Sequence, residues 1–104
     1  MNLIFKPEAE RDLTEAYEWY EERDKGLGSE FIRAVDTCAS QIQRHPEMYP
    51  VAYRDVRQAV TRRFPYSIFY LVEEDTVVIV SVFHASRDPR IGKAAPKAYY
   101  STGR

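Results

Sequence analysis

His84 closes the most apolar stretch of this chain, and basic residues flank that stretch on both sides. Arg57, Arg62 and Arg63 precede it, and Arg87, Arg90, Lys93 and Lys97 follow it. An imidazole titrates near neutral pH and can move a proton. Grouped cations hold anions, either the phosphates of a nucleic acid or the carboxylates of an acidic polypeptide. Tyr99 and Tyr100 interrupt the basic terminus, and aromatic residues in such a setting commonly gain a contact, here with a partner. Each residue also has a plainer reading. A histidine that ends a strand more often packs or hydrogen-bonds than catalyses, and an Arg87–Asp88 pair is able to cap a strand end. Cys38 lies at the apolar spacing of a helix with no histidine near it in sequence, and reads as a small core residue.

The charge distribution favours the partner reading. The net charge is −1, yet residues 1–53 carry 6 Lys/Arg against 11 Asp/Glu while residues 54–104 carry 9 against 5, so the halves stand at −5 and +4. A charge separated by half-chain points to a basic surface facing an anionic partner, whereas interspersed signs would only dress solvated faces. One cysteine excludes an internal disulfide and a cysteine metal cluster, so neither metal nor cofactor is expected. The absence of a long apolar run and of a basic-then-apolar leader predicts a cytoplasmic protein with no membrane partner. At 104 residues the expectation is one domain over 1–104, with a basic C-terminal tail from about residue 85.

The elements that must position these side chains are legible from periodicity. Leu3–Phe5 is a short strand candidate, ended by Pro7 at the first turn of a helix. Ala9, Leu13, Ala16, Tyr17 and Tyr20 form one helical stripe, predicting a helix from about Pro7 to Arg23; Trp19 beside the stripe reads first as a further core contact and otherwise as part of an exposed patch of the kind that marks an interaction groove. Gly26 and Gly28 supply a reversal, with Ser29 as the N-cap of a second helix whose stripe is Phe31, Val35, Cys38 and Ile42. Pro46 ends that helix near Arg44. Residues 46–53 read as an ordered connector packed by its aromatics. Val56–Arg62 alternates as a half-buried strand, and Tyr66–Val72 and Val77–Phe83, separated by an acidic turn, form a central hairpin buried on both faces. The fold class is α+β: a short N-terminal strand and an antiparallel helical hairpin packed on an antiparallel sheet with a three-strand meander.

That order of elements, with FPYSIFY at 64–70 and VFHASRDP at 82–89, resembles the RelE/ParE superfamily of bacterial toxins. PEAERDLTEAYEWY at 7–20, SEFIRAVD at 29–36 and HPEMYP at 45–50 extend the resemblance over nearly the whole chain. It implies the toxin of a type II toxin-antitoxin pair, often named a plasmid stabilisation protein, neutralised by a cognate antitoxin. One branch cleaves mRNA on the ribosome, using strand cations, an arginine opening the next strand, and arginine with tyrosine or histidine near the last strand's end. Here the arginine position after Tyr66 is Ser67, the strand-cation positions fall near Gln58 and Val60, and Tyr99 and Tyr100 lie too far past Arg87. His84 and Arg87 are the residues left for such catalysis. A register off by one would bring Arg57 and Arg62 into the strand positions instead. The departures place the chain closer to the ParE branch, which the resemblance describes as poisoning DNA gyrase on DNA by binding. The alternatives are a RelE-like mRNA endoribonuclease, with ribosome or mRNA as partner, and an inactive protein of the same fold.

Overall fold

Pro7, with no amide hydrogen to leave unpaired, opens α1 (Pro7–Arg23), and Glu8 and Glu10 set negative charge against the helix dipole in the first turn. A computed structural model describes residues 1–84. Ala9, Ala16 and Tyr20 are buried along one side of α1, with Leu13 and Tyr17 half-buried beside them. Trp19 packs against the same core, edge-on to Tyr20 at 5.1 Å, with the Arg23 guanidinium 3.5 Å over its ring.

The second helix, α2 (Leu27–Arg44), begins two residues before the expected Ser29 cap. Ser29 lies inside the helix and is exposed, while Gly26 occupies the N-cap at φ 91°. The cap is built from the preceding helix instead. Glu21 Oε2 accepts from the Gly26 amide at 2.8 Å and Oε1 from the Gly28 amide at 2.9 Å, so one carboxylate pairs two amide hydrogens and opposes the α2 dipole. Phe31, Val35, Cys38, Ala39 and Ile42 are buried along α2, which stops at Arg44 before Pro46 as the sequence indicates.

Five strands form one sheet in the order β1-β5-β4-β3-β2: β1 (Asn2–Phe5), β2 (Val51–Tyr53), β3 (Val56–Val60), β4 (Tyr66–Glu73) and β5 (Thr76–His84). The meander β3-β4-β5 is as expected. Two features correct the sequence reading. The sheet is mixed rather than antiparallel, because β1 joins the far side of β5 in parallel, Leu3 opposite Val77 and Phe5 opposite Ile79. The connector also contains β2, a three-residue edge strand on β3, reached through Arg54 in the left-handed region at φ 53°. β3 itself ends at Val60, short of Arg62.

Register assigns the two faces. Phe5, Ala59, Tyr66, Ile68, Tyr70, Val77, Ile79 and Val82 join the helices in the main core. Val56, Phe69, Leu71, Val78, Val80 and Phe83 form a second apolar cluster on the opposite face. A bulge in β5 keeps both sets in phase: Phe69 faces Ser81 and Tyr70 faces Ile79, so Val80 is the extra residue. Asp12 Oδ2 accepts from the Val82 amide at 3.0 Å, tying α1 to β5 just beyond that bulge.

Residues 46–50 are held by two side chains from the sheet. The Tyr70 hydroxyl donates to the Pro46 carbonyl at 2.6 Å, and Arg57 Nη1 donates to the Tyr49 carbonyl at 2.6 Å and the Glu47 carbonyl at 3.3 Å. Burial pushes the Tyr70 phenol up to about 12, with Arg57 opposing it and Tyr49 and Cys38 adding to it. A phenol whose folded pKa lies above its unfolded value contributes stability that is complete below about pH 10 and lost as pH rises through about 12. Tyr70→Phe is therefore expected to cost about 1 to 2 kcal/mol at pH 7, by orphaning the Pro46 carbonyl. It should also flatten the fall in stability above pH 10, which urea unfolding at stepped pH measures. An unchanged alkaline limb would exclude Tyr70 as its source.

Candidate interaction surface

Thr61 lies at the end of the sheet from which the cations project, bonded across the turn. It is buried, its amide donates to the Tyr66 carbonyl at 2.9 Å, its hydroxyl donates to the Phe64 carbonyl, and its oxygen accepts from the Tyr66 amide at 3.2 Å. With Thr61 turned in and Phe64 buried, the two residues between them point to solvent. Those residues are Arg62 and Arg63, both exposed. Arg63 is the more fixed. Its guanidinium lies 5.4 Å from the Phe64 ring, and its Nη2 lies 2.6 Å from Glu30 Oε1 on α2.

His84 sits at the same end, because Tyr66 and His84 are opposite one another in the β4–β5 register. Its ring meets the Tyr66 ring edge-on at 5.0 Å on the helix-facing side. The pairing places the point where the chain leaves β5 at the Arg62–Arg63 end of the sheet. Arg87, Arg90, Lys93, Lys97, Tyr99 and Tyr100 lie outside the described residues.

Arg57 belongs to a different place. Opposite Tyr70, it is half-buried on the helix side, and its donors hold the Glu47 and Tyr49 carbonyls. Gln58 and Val60 share the other face with Ser67, with Gln58 Nε2 donating to Ser67 Oγ at 2.8 Å. The one-residue slip that would bring Arg57 onto that face is thus excluded. Among the described residues, the centre of the face opposite the helices is formed by Val56, Gln58, Val60, Ser67, Phe69, Leu71, Val78, Val80, Ser81 and Phe83, none of them ionisable.

Sequence reasoning missed Arg33 and Glu30. They stand three residues apart on α2 and line, with Ala34, Thr37 and Arg63, an open groove of about 390 Å³ between that helix and the β3–β4 connection. Their spacing within SEFIRAVD is visible in the sequence, but nothing there says that Arg63, some thirty positions on, lies against them. Among the described residues, no group of three or more His, Cys, Asp or Glu is placed to hold a metal ion. No helix among them is long and apolar enough to cross a membrane. Burial pushes the Cys38 thiol up, which disfavours the thiolate a nucleophile would need.

Residues 3–89 match the family model described as the ParE toxin of the type II toxin-antitoxin system, parDE. The chain belongs to the ParE toxin family. Its fold is similar to a structure of the chromosomal ParDE system from P. aeruginosa, at 20% identity and a TM-score of 0.62. That match covers 81% of this chain and 95% of the other. The intact E. coli RelBE toxin-antitoxin complex is similar at 19% identity and a TM-score of 0.61, covering 83% of this chain and 98% of that one. No curated relative matches the sequence. In this member of the ParE family, the exposed Arg62 and Arg63 stand at one end of the sheet, beyond its strongly apolar strands β4 and β5.

Proposed function

We propose that this chain is the toxin of a type II pair, held inactive by a cognate antitoxin, and that it acts by binding DNA gyrase on DNA rather than by cutting RNA. The ParE family match supports the toxin role. The observation that carries the binding mode is the composition of the sheet face opposite the helices. Phosphodiester cleavage by an internal hydroxyl needs a base, an acid and cations around one phosphorus atom. Among the described residues, a glutamine, two serines and apolar side chains stand at the centre of that face, with Gln58 and Ser67 bonded to each other. His84 is turned toward Tyr66 on the other side. The exposed Arg62 and Arg63 offer binding without chemistry, and the action on gyrase extends the ParE assignment to this chain.

The test is direct. Protein freed from its antitoxin is expected to inhibit supercoiling by purified gyrase and to accumulate cleaved DNA, with ribosome-bound mRNA left intact. Undisturbed gyrase together with cut mRNA would replace this reading with the ribonuclease one. Inertness in both assays would leave the fold without either activity.

A further inference from the structure

We infer that the groove between α2 and the β3–β4 connection, lined by Arg33, Arg63, Ala34 and Thr37, is a docking site for a carboxylate-bearing peptide segment of the antitoxin, and that Glu30 occupies it in the free protein as an internal stand-in. This rests on the reading of the chain as a neutralised toxin, and names where the neutralising partner holds on.

Three observations meet in the groove. The first is charge: Arg33 and Arg63 both line it and Arg62 is exposed next in sequence, so an anion entering it meets cations from two elements. The second is the state of the resident anion. Glu30 Oε1 is buried and makes no hydrogen bond of good geometry, although Arg63 Nη2 is only 2.6 Å away. The contact is an ion pair with poor donor alignment, and Arg63 is 67% exposed. Such pairs contribute about 0 to 1 kcal/mol, so exchanging the Glu30 carboxylate for one from a partner costs little. An incoming carboxylate can take the two-pronged guanidinium geometry that Glu30 lacks, and gains Arg33 as well. The third is preorganisation. The Arg63 guanidinium lies over the Phe64 ring, and Phe64 is fixed in the core by Tyr20 and Phe31, so part of the side-chain freedom that binding would remove is already restricted.

The same surroundings select a peptide over a nucleic acid. Glu30 stands inside the groove, and residues 1–53 carry five more acidic than basic residues. A phosphate backbone repeats its charge at every step and meets those carboxylates. A peptide can place one carboxylate between Arg33 and Arg63 and present uncharged residues to Ala34 and Thr37.

The experiment uses the full-length protein and the antitoxin encoded beside its gene, with affinities measured by titration calorimetry at low and high salt. Arg33→Glu/Arg63→Glu is expected to weaken binding by about 100-fold and to reduce its salt dependence, while Arg44→Glu, elsewhere on α2, should stay within about 3-fold of the parent. Glu30→Gln is expected to tighten binding by about 3-fold or more, because the competing anion is removed. A role confined to holding the fold would not produce that gain, and matching melting temperatures exclude unfolding as the cause of a loss. The inference is overturned if the double variant binds like the parent, or if Glu30→Gln weakens the complex. It is equally overturned if the double swap abolishes binding to a 20-base-pair duplex and spares the antitoxin. If the antitoxin fails to bind the unaltered protein, the toxin reading itself falls, which is a separate result.

Discussion

Gly28→Ala is expected to destabilise the protein by about 3 kcal/mol and to lower its melting temperature by roughly 15 °C. A Cβ at this position would lie 2.7 Å from the Tyr17 carbonyl oxygen and 2.7 Å from Tyr17 Cδ1, with Glu21 Oε1 at 2.8 Å. Two of those neighbours cannot yield cheaply: the carbonyl is helix backbone, and Cδ1 is the near edge of a half-buried ring rather than the tip of a flexible side chain. The helices would have to separate at their joined end, lengthening the hydrogen bond from the Gly28 amide to Glu21. Gly26→Ala is the informative comparison. Nothing lies within 4 Å of its added Cβ, yet its φ of 91° is strained for an alanine, and the cost should be about 1 kcal/mol. Thermal melts of the two variants separate a steric cause from a conformational one. Equal and small losses would mean that the helices do not approach at Gly28 as closely as the structure indicates.

The two glycines also show what the sequence carries and what it leaves out. Their presence between two helical stripes announces a reversal. The reason for each is invisible there, because Gly28 answers to Tyr17, which is ordinary stripe in the sequence. Glu21 as the cap of the following helix is hidden in the same way, and Ser29 was the natural but mistaken choice because capping is usually local. Helix limits at Pro7, Arg23 and Arg44 were legible, since prolines and apolar spacing act within a few residues. The parallel pairing of β1 with β5 was not, because alternation reports which face is buried but not which strand lies alongside. β2 escaped notice because three exposed residues have no pattern. At the interaction surface, the exposed pair Arg62–Arg63 stood out in the sequence. The diversion of Arg57 to the connector's carbonyls, and the approach of Glu30 and Arg33 to Arg63, depend on contacts across elements.

Phe64→Ala is expected to cost about 3 to 4 kcal/mol, and its damage should be concentrated where the partner-facing cations are held. Phe64 is the one buried aromatic in the β3–β4 connection, with its ring centroid 4.9 Å from Tyr20 and 5.6 Å from Phe31 in edge-to-face arrangements. Those two rings belong to α1 and α2, so Phe64 pins the end of the sheet to both helices at once. Truncation removes the wedge and leaves a cavity bounded by Tyr20, Phe31 and neighbouring Tyr66, the last two being only 4.7 Å apart. It also removes the seat of the Arg63 guanidinium. Two measurements distinguish this from a diffuse core defect. Chemical denaturation should give the full loss, and amide exchange should accelerate most at Thr61 and Tyr66, whose amides close the turn. Phe64→Leu retains most of the apolar volume and should cost about 1 kcal/mol with the turn still protected. A loss below about 1 kcal/mol for Phe64→Ala, or exchange that rises evenly over the sheet, would show that Thr61 alone holds the connection. With the expected result, the surface that presents Arg62 and Arg63 owes its shape to an aromatic core contact rather than to the hydrogen bonds of its own turn.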